Sequence, residues 1–253
     1  MGLVDELLEL GMSPRQLEWE VPDRPFMGWE GYTPPLVFEI AGIPAAIVDP
    51  HNEALWLWQQ AAGPAPVLHI DMHPDMKTGL VKVFAGSRLN GDFERYIRDK
   101  VGIGSFIPVA MYEGIVDISY HYDPYSPKYT FVYGNGIVVS KNRRLANKGL
   151  AESKRRVSTG TILRELRQHP MAPILDMDLD GLLSDEYPVE WEYKNRLDDT
   201  LELCELAPRP QLITIAKSQT PLSFVPQSSV DKIALDVVKG LSRVYNLRRI
   251  SFS

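Results

Sequence analysis

Two short acidic stretches carry the chemistry of this sequence: His69-Ile70-Asp71-Met72-His73-Pro74-Asp75 and Asp176-Met177-Asp178-Leu179-Asp180-Gly181. Each follows a short apolar run, 67–70 and 173–175, that reads as a buried strand. Alternate side chains of an extended segment share a face, so Asp71, His73 and Asp75 can converge if the chain turns at Pro74. Asp176, Asp178 and Asp180 alternate in the same way and would repel one another. A cation is the simplest compensation for such crowding. A lone Asp-X-His-X-Asp often serves turns and caps. Two clusters at two strand ends point instead to metal, in the place where open α/β sheets bind ligands. Hard carboxylate oxygens with minority imidazole and no thiolate suit manganese, or iron or zinc in a catalytic role. Two ions sharing bridging carboxylates would lower the pKa of water and supply hydroxide near neutral pH.

The pattern resembles a known family. Asp71-X-His73-X-Asp75 and Asp178-X-Asp180-Gly181-Leu182 are similar to the two metal motifs of the ureohydrolases, the arginases and agmatinases. Pro50-His51-Asn52-Glu53-Ala54-Leu55 resembles the earlier histidine ligand of that family. Together with the run from Leu68 to Met76 and the run from Ile174 to Asp180, it resembles a divergent arginase-like branch that includes peptide arginases of ribosomal peptide pathways. The resemblance covers residues 36–218. It implies a three-layer αβα arginase-like fold and two Mn2+ ions per chain. Asp71 and Asp178 would bridge them, His51 and Asp75 would complete one site, and His73 and Asp180 the other. It further implies that arginine side chains of a precursor peptide become ornithine. A hydroxide bridging the two Mn2+ ions would release urea, with Asp75 as the catalytic residue that orients it and handles its proton.

His69 and Asp176 read as supports behind the ligands rather than as ligands. The family's histidine after the first motif has no counterpart in residues 76–100, and His121 is the substitute that composition offers. The acid with which arginases hold the guanidinium on a late strand has none in residues 214–220, so the substrate-binding residues are left open. Loops that recognise the α-amino and α-carboxylate groups are not recognisable, as suits a peptide substrate. Other readings are a same-fold hydrolase of a small guanidino or amide compound, and a non-catalytic metal-binding protein.

The elements that must position these residues follow from patterning. A chain of 253 residues fits a single α/β domain. Strands are expected at 36–40 and 45–48 around a Gly-Ile-Pro turn, and a helix over 52–62. Residues 92–101 should form a helix, and 106–110 and 115–122 extended runs. A hairpin is expected at 129–140 around Gly134-Asn135-Gly136. A helix at 158–167 should be capped by Ser158 or Thr159. Then come a helix at 195–206, a strand at 211–216 and a long helix at 229–245. This alternation predicts a mostly parallel sheet with crossover helices. Residues 1–35 read as an irregular arm with a short helix at 4–10, and 123–157 as a hairpin plus a basic insertion. The basic run 141–156 reads as a solvated segment, with docking of an acidic leader as the sharper reading.

Hydrophobic residues make up 44% and charged residues 24%, ordinary for a soluble protein. A net charge of −6 does not favour nucleic-acid binding. No apolar run is long enough to span a membrane, and no signal peptide is recognisable, so a cytoplasmic protein is expected. The one cysteine, Cys204, reads as a buried thiol.

Overall fold

The computed structural model describes residues 2–16, 34–77, 84, 92–127, 130–134, 154–184, 190–219 and 223–251. Five parallel strands make the centre of its sheet: β3 (Ile43–Val48), β4 (Ala65–Ile70), β5 (Val116–Tyr122), β8 (Ile174–Asp178) and β9 (Leu212–Ala216). Antiparallel strands flank them: β1 (Arg15–Gln16) and β2 (Leu36–Ile40) on one edge, β6 (Thr130–Gly134) and β7 (Arg155–Val157) on the other. The order is β1-β2-β3-β9-β8-β4-β5-β6-β7. Strands β4, β8 and β9 are buried along their whole length, which is why they read as apolar runs rather than alternating ones.

Helices cover both faces, giving the expected three-layer αβα architecture. One face packs α1 (Leu3–Glu9), α5 (Thr159–Gln168), α6 (Glu190–Leu206) and α7 (Val230–Ser251) onto Ile47, Leu68, Ile70, Leu175, Met177, Ile213 and Ile215. The other packs α2 (Ala54–Trp58), α3 (Asp92–Lys100) and α4 (Phe106–Tyr112) onto Ala46, Val48, Val67, Ile174, Leu212 and Ala216. Ser158 caps α5 by accepting from the Thr161 amide, as the sequence predicts. Cys204 is buried in the first layer. Among the described residues no helix is long and apolar enough to cross a membrane.

Two local expectations are corrected. Residues 106–110 are not extended but begin α4; Phe106, Ile107, Pro108, Val109 and Ala110 are all buried, and periodicity cannot separate a buried helix from a buried strand. Pro108 is tolerated in the first turn, where its missing N–H has no intrahelical acceptor. The helix expected at 52–62 is a 3-10 turn, His51–Glu53, followed by the short α2. Asn52 does not cap it; its amide donates to the carbonyls of Ile97 and Val101 at 3.0 Å each and ties down the end of α3. Gly134 closes β6 against β5, where a Cβ would lie 2.7 Å from Ile118 Cγ1. The rest of the Gly-Asn-Gly turn, the strand at 137–140 and most of the basic run lie outside the described residues, and the described antiparallel partners of β6 are β5 and β7. Of the basic run, Lys154 lies 4.0 Å over the Phe131 ring and Arg155 pairs with Glu165.

Candidate metal centre

The carboxyl ends of β3, β9, β8 and β4 lie side by side, and every metal ligand proposed from the sequence sits at or just beyond them. His51 opens the 3-10 turn after β3, Asp71, His73 and Asp75 follow β4, Asp178 closes β8, and Asp180 lies in the 3-10 turn Leu179–Gly181. Parallel register sets a polar row one step behind this rim: His121, His69, Asp176 and Thr214 occupy neighbouring positions on β5, β4, β8 and β9. All four are buried.

That row holds the rim. Trp58 Nε1 donates to Thr214 Oγ1 at 3.1 Å, and Thr214 donates to Asp176 Oδ1 at 2.5 Å. Asp176 Oδ2 faces His51 Nε2 at 2.9 Å and His69 Nδ1 at 2.7 Å. Burial alone would raise the Asp176 pKa, but His51 and His69 outweigh it and hold the carboxyl well below its usual range. Asp176 is therefore an ionised acceptor, His51 donates from Nε2, and its Nδ1 is turned into the pocket. His69 has both nitrogens engaged, by Asp176 and by the His73 carbonyl at 3.0 Å. It can be grouped with His51 and Asp71 by distance. Its engaged nitrogens nevertheless make it a support, as does Asp176. His121 donates from Nε2 to the Asp71 carbonyl at 2.9 Å. Burial, then the neighbouring His69, push its pKa down to about 3. It is a neutral buried strut for the Asp71 backbone and not a substitute shuttle in the pocket.

In front of the row, His51 Nδ1 faces Asp178 Oδ2 at 3.0 Å, Asp75 Oδ2 at 3.3 Å and Asp71 Oδ2 at 3.7 Å. On the other side of Asp71, His73 Nδ1 lies 3.1 Å from Asp180 Oδ2 and 3.7 Å from Asp71 Oδ1. Asp71 Oδ1 also accepts the His73 amide at 2.6 Å, which fixes the turn leaving β4. Ser218, just past β9, donates from Oγ to Asp178 Oδ2 at 2.5 Å. Asp75 and Ser218 have φ of 45° and 50°, left-handed values that cost a non-glycine residue about 1 kcal/mol. Such strain gathers at functional sites. Gly181 is needed for a different reason than conformational freedom: a Cβ there would lie 3.2 Å from Asp71 Cα and 3.3 Å from Met72 N. The two motif segments approach backbone to backbone at that point.

The electrostatics are those of a cation site. Burial, then Asp180, Asp178 and Asp75, raise the Asp71 pKa well above the carboxylate range. Burial and then Asp178 raise Asp180, with partial relief from His73. Burial would lower His51, but Asp176 and Asp178 lift it well above its usual value. The hydrogen bond to Asp180 lifts His73. The buried atoms that make no hydrogen bond include three of this site, His51 Nδ1, Asp71 Oδ2 and Asp180 Oδ1. Leaving such atoms unmatched costs about 1–3 kcal/mol each. All three belong to residues proposed as ligands, and a divalent cation would satisfy them. The donor set therefore fits metal. Ligand atoms of Asp71, His73 and Asp180 converge within 4.8 Å of one another, and Asp71 is common to that group and to the one around His51.

The cavity over these groups is about 350 Å3 and is also lined by Pro74, Met76, Lys77, Ile103, Gly104, Ser218 and Phe224. Ser218 had a sequence signal, since it lies just beyond a strand end like the ligands. Lys77 and Phe224 had none.

No family model matches the chain, and no curated protein matches it. Solved structures similar to it include a hypothetical agmatinase from Burkholderia thailandensis, with 12% identity, TM-score 0.44, and coverage of 81% of this chain and 59% of that one. Proclavaminate amidino hydrolase from Streptomyces clavuligerus gives 13%, 0.43, and 79% and 62%. Arginase from Medicago truncatula gives 14%, 0.41, and 78% and 57%. The chain thus spans about three fifths of the length of the structures it matches.

Proposed function

We propose that the protein is a metal-dependent hydrolase of a guanidino C–N bond. The carrying observation is that Asp71 stands between two sets of converging donors, His51 with Asp75 and Asp178 on one side and His73 with Asp180 on the other. In this reading Asp71 and Asp178 would serve both ions, with His51 and Asp75 holding one and His73 and Asp180 the other. The excess of carboxylate oxygen favours Mn2+. Bound there, such ions supply Lewis-acid polarisation and make hydroxide accessible near neutral pH. The likeness of both motifs to those of the ureohydrolases supports the guanidino substrate.

The chain's own groups divide the remaining work. Asp75, held against His51 Nδ1 in a left-handed turn, can orient a water and take its proton. Asp176 keeps His51 in the tautomer that leaves Nδ1 free to ligate. Phe224, with its ring centroid 5.9 Å from that of His73, gives the pocket an apolar side beside it. Water adds to the guanidinium carbon, the C–N bond to the alkyl chain breaks, and the proton goes to the departing amine. The products are urea and a primary amine.

The finer reading is that the substrate is an arginine side chain of a precursor peptide, converted to ornithine inside the cell. The sequence resemblance to peptide arginases supports it. Incubation with Mn2+ and an arginine-containing peptide should remove about 42 Da per arginine and release urea. Elemental analysis should give two ions per chain. No mass change on any arginine peptide, with no urea from arginine or agmatine, would defeat the proposal.

A further inference from the structure

The metal ligands account for the floor of the pocket but not for its mouth. His51, Asp71, Asp178, Asp180 and Ser218 are buried, whereas Pro74 and Lys77 line the same cavity and are exposed. Lys77 is the cavity's only lysine or arginine among the described residues. Its amide donates to the Gly104 carbonyl at 2.8 Å, which ties it to the opposite wall. Its stem and ammonium lie against Gly104: a Cβ there would fall 3.0 Å from Lys77 Cδ and 3.2 Å from Nζ. Lys217 and Lys239 are paired, with Asp231 at 2.8 Å and Glu6 at 3.9 Å. Lys77 has no carboxylate partner among the described residues. The nearby carboxylates of this pocket are those turned to the metal site.

The cavity is therefore bipolar, with carboxylates at the floor and one ammonium at the rim. Ile103, Met76 and Phe224 supply apolar wall between them. A molecule matched to it carries a cation at one end, an alkyl chain, and an anion at the other. We propose that Lys77 is a specificity-determining residue that binds a carboxylate of the substrate. This rests on the guanidino-hydrolase reading and deepens it: the substrate is a guanidino compound with a carboxylate close to the reacting side chain. In a peptide that group is an acidic side chain beside the arginine; in a free amino acid it is the α-carboxylate. The recognising chemistry is the same, a charge-assisted hydrogen bond from the ammonium.

Product analogues test this without turnover. Binding to the Mn2+-loaded protein is measured by calorimetry for two pairs: L-ornithine against its carboxamide, and a capped Asp-Orn-Gly peptide against capped Gly-Orn-Gly. The carboxylate-bearing member of at least one pair should bind about tenfold tighter. The pair that shows the preference identifies the source of the carboxylate. Lys77→Met should erase that preference, leave affinity for the neutral member unchanged and keep the metal content of the wild type. Lys77→Arg should retain part of the preference. Equal binding within both pairs, a preference that survives Lys77→Met, or no binding of any probe would overturn the proposal. A Lys77-dependent preference without urea release from any guanidino compound would leave this inference standing and sink the proposed reaction. Urea release without the preference would do the reverse.

Discussion

Asp176 holds His51 by Nε2 at 2.9 Å and so turns the other nitrogen of the ring, at 3.0 Å from Asp178, toward the metal pocket. The same carboxylate holds His69 at 2.7 Å, so one buried charge sets the orientation of two imidazoles. Asp176→Asn preserves shape but replaces a full acceptor by an amide. Partners of this kind behind a ligand are worth about 10–100-fold in metal affinity. The loss should fall on the ion held by His51, with the ion at His73 and Asp180 affected less. Competition against a chelator, read as two stepwise affinities, checks it. Two unchanged affinities in a folded variant would refute the role of Asp176.

The pH dependence of stability should reverse with metal. Without metal, the raised Asp71 and Asp180 carboxyls keep protons that the unfolded chain has released, so stability falls as pH rises above about 4. His51 and His73 are raised as well; what they contribute is complete below about pH 6.5 and is lost as pH rises through their folded values. Asp176 and His121 are depressed and act oppositely, but the contribution of Asp176 is complete above about pH 4 and that of His121 above about pH 6.5, so neither alters the trend beyond that. Metal binding needs the deprotonated forms and strengthens with pH. Thermal melts between about pH 6 and about pH 9 should show the Tm of chelator-treated protein falling and its gap to Mn2+-saturated protein widening. A gap that narrows with pH would count against these groups as ligands.

Residues that act through local spacing were legible in the sequence. Asp71, His73 and Asp75, like Asp176, Asp178 and Asp180, announce themselves because a strand displays alternate positions on one face and places them at its carboxyl end. The parallel core was legible for the same reason. Long-range register was not. Nothing local says that His121 falls beside His69, or that Thr214 falls beside Asp176, yet those pairings make the supporting row. Asn52 reads as the start of its own helix, and only the docking of α3 shows what it binds. The run from Phe106 to Ala110 is apolar on every side, so it carried no period from which α4 could be recognised.

Two glycines separate packing from function. At Gly181 an added Cβ meets Asp71 and Met72 backbone, which cannot swing aside. At Gly240 it meets the end of the Leu201 side chain between α6 and α7, far from the ligands in the chain. Both Gly181→Ala and Gly240→Ala overfill a packed contact, at about 1–3 kcal/mol. For a chain of this size each kcal/mol lowers Tm by about 2–4 °C. Only Gly181→Ala should also weaken metal binding, because it pushes the two motif segments apart. Equal metal affinity in the two variants would mean that the close approach at Gly181 is structural alone.

Asp71 should show the opposite signs for stability and function. Its carboxylate is buried against three others, and ionising it there is unfavourable enough that its pKa is driven well up. Asp71→Asn removes the need to hold either a charge or a proton there while keeping an oxygen for the His73 amide. Because strained functional sites trade stability for activity, relieving this one should stabilise the metal-free fold, on the order of 0.5–2 kcal/mol. The metal-free variant should therefore melt a few degrees higher than metal-free wild type near pH 8, about 2–4 °C per kcal/mol. It should also lose both ions, since the residue is shared, and with them all hydrolysis. Calorimetric melts with and without Mn2+, beside metal analysis, read both signs at once. An Asp71→Asn protein that still holds two ions would show that the shared-ligand arrangement is wrong, and one that melts lower would show that Asp71 serves the fold rather than a cation.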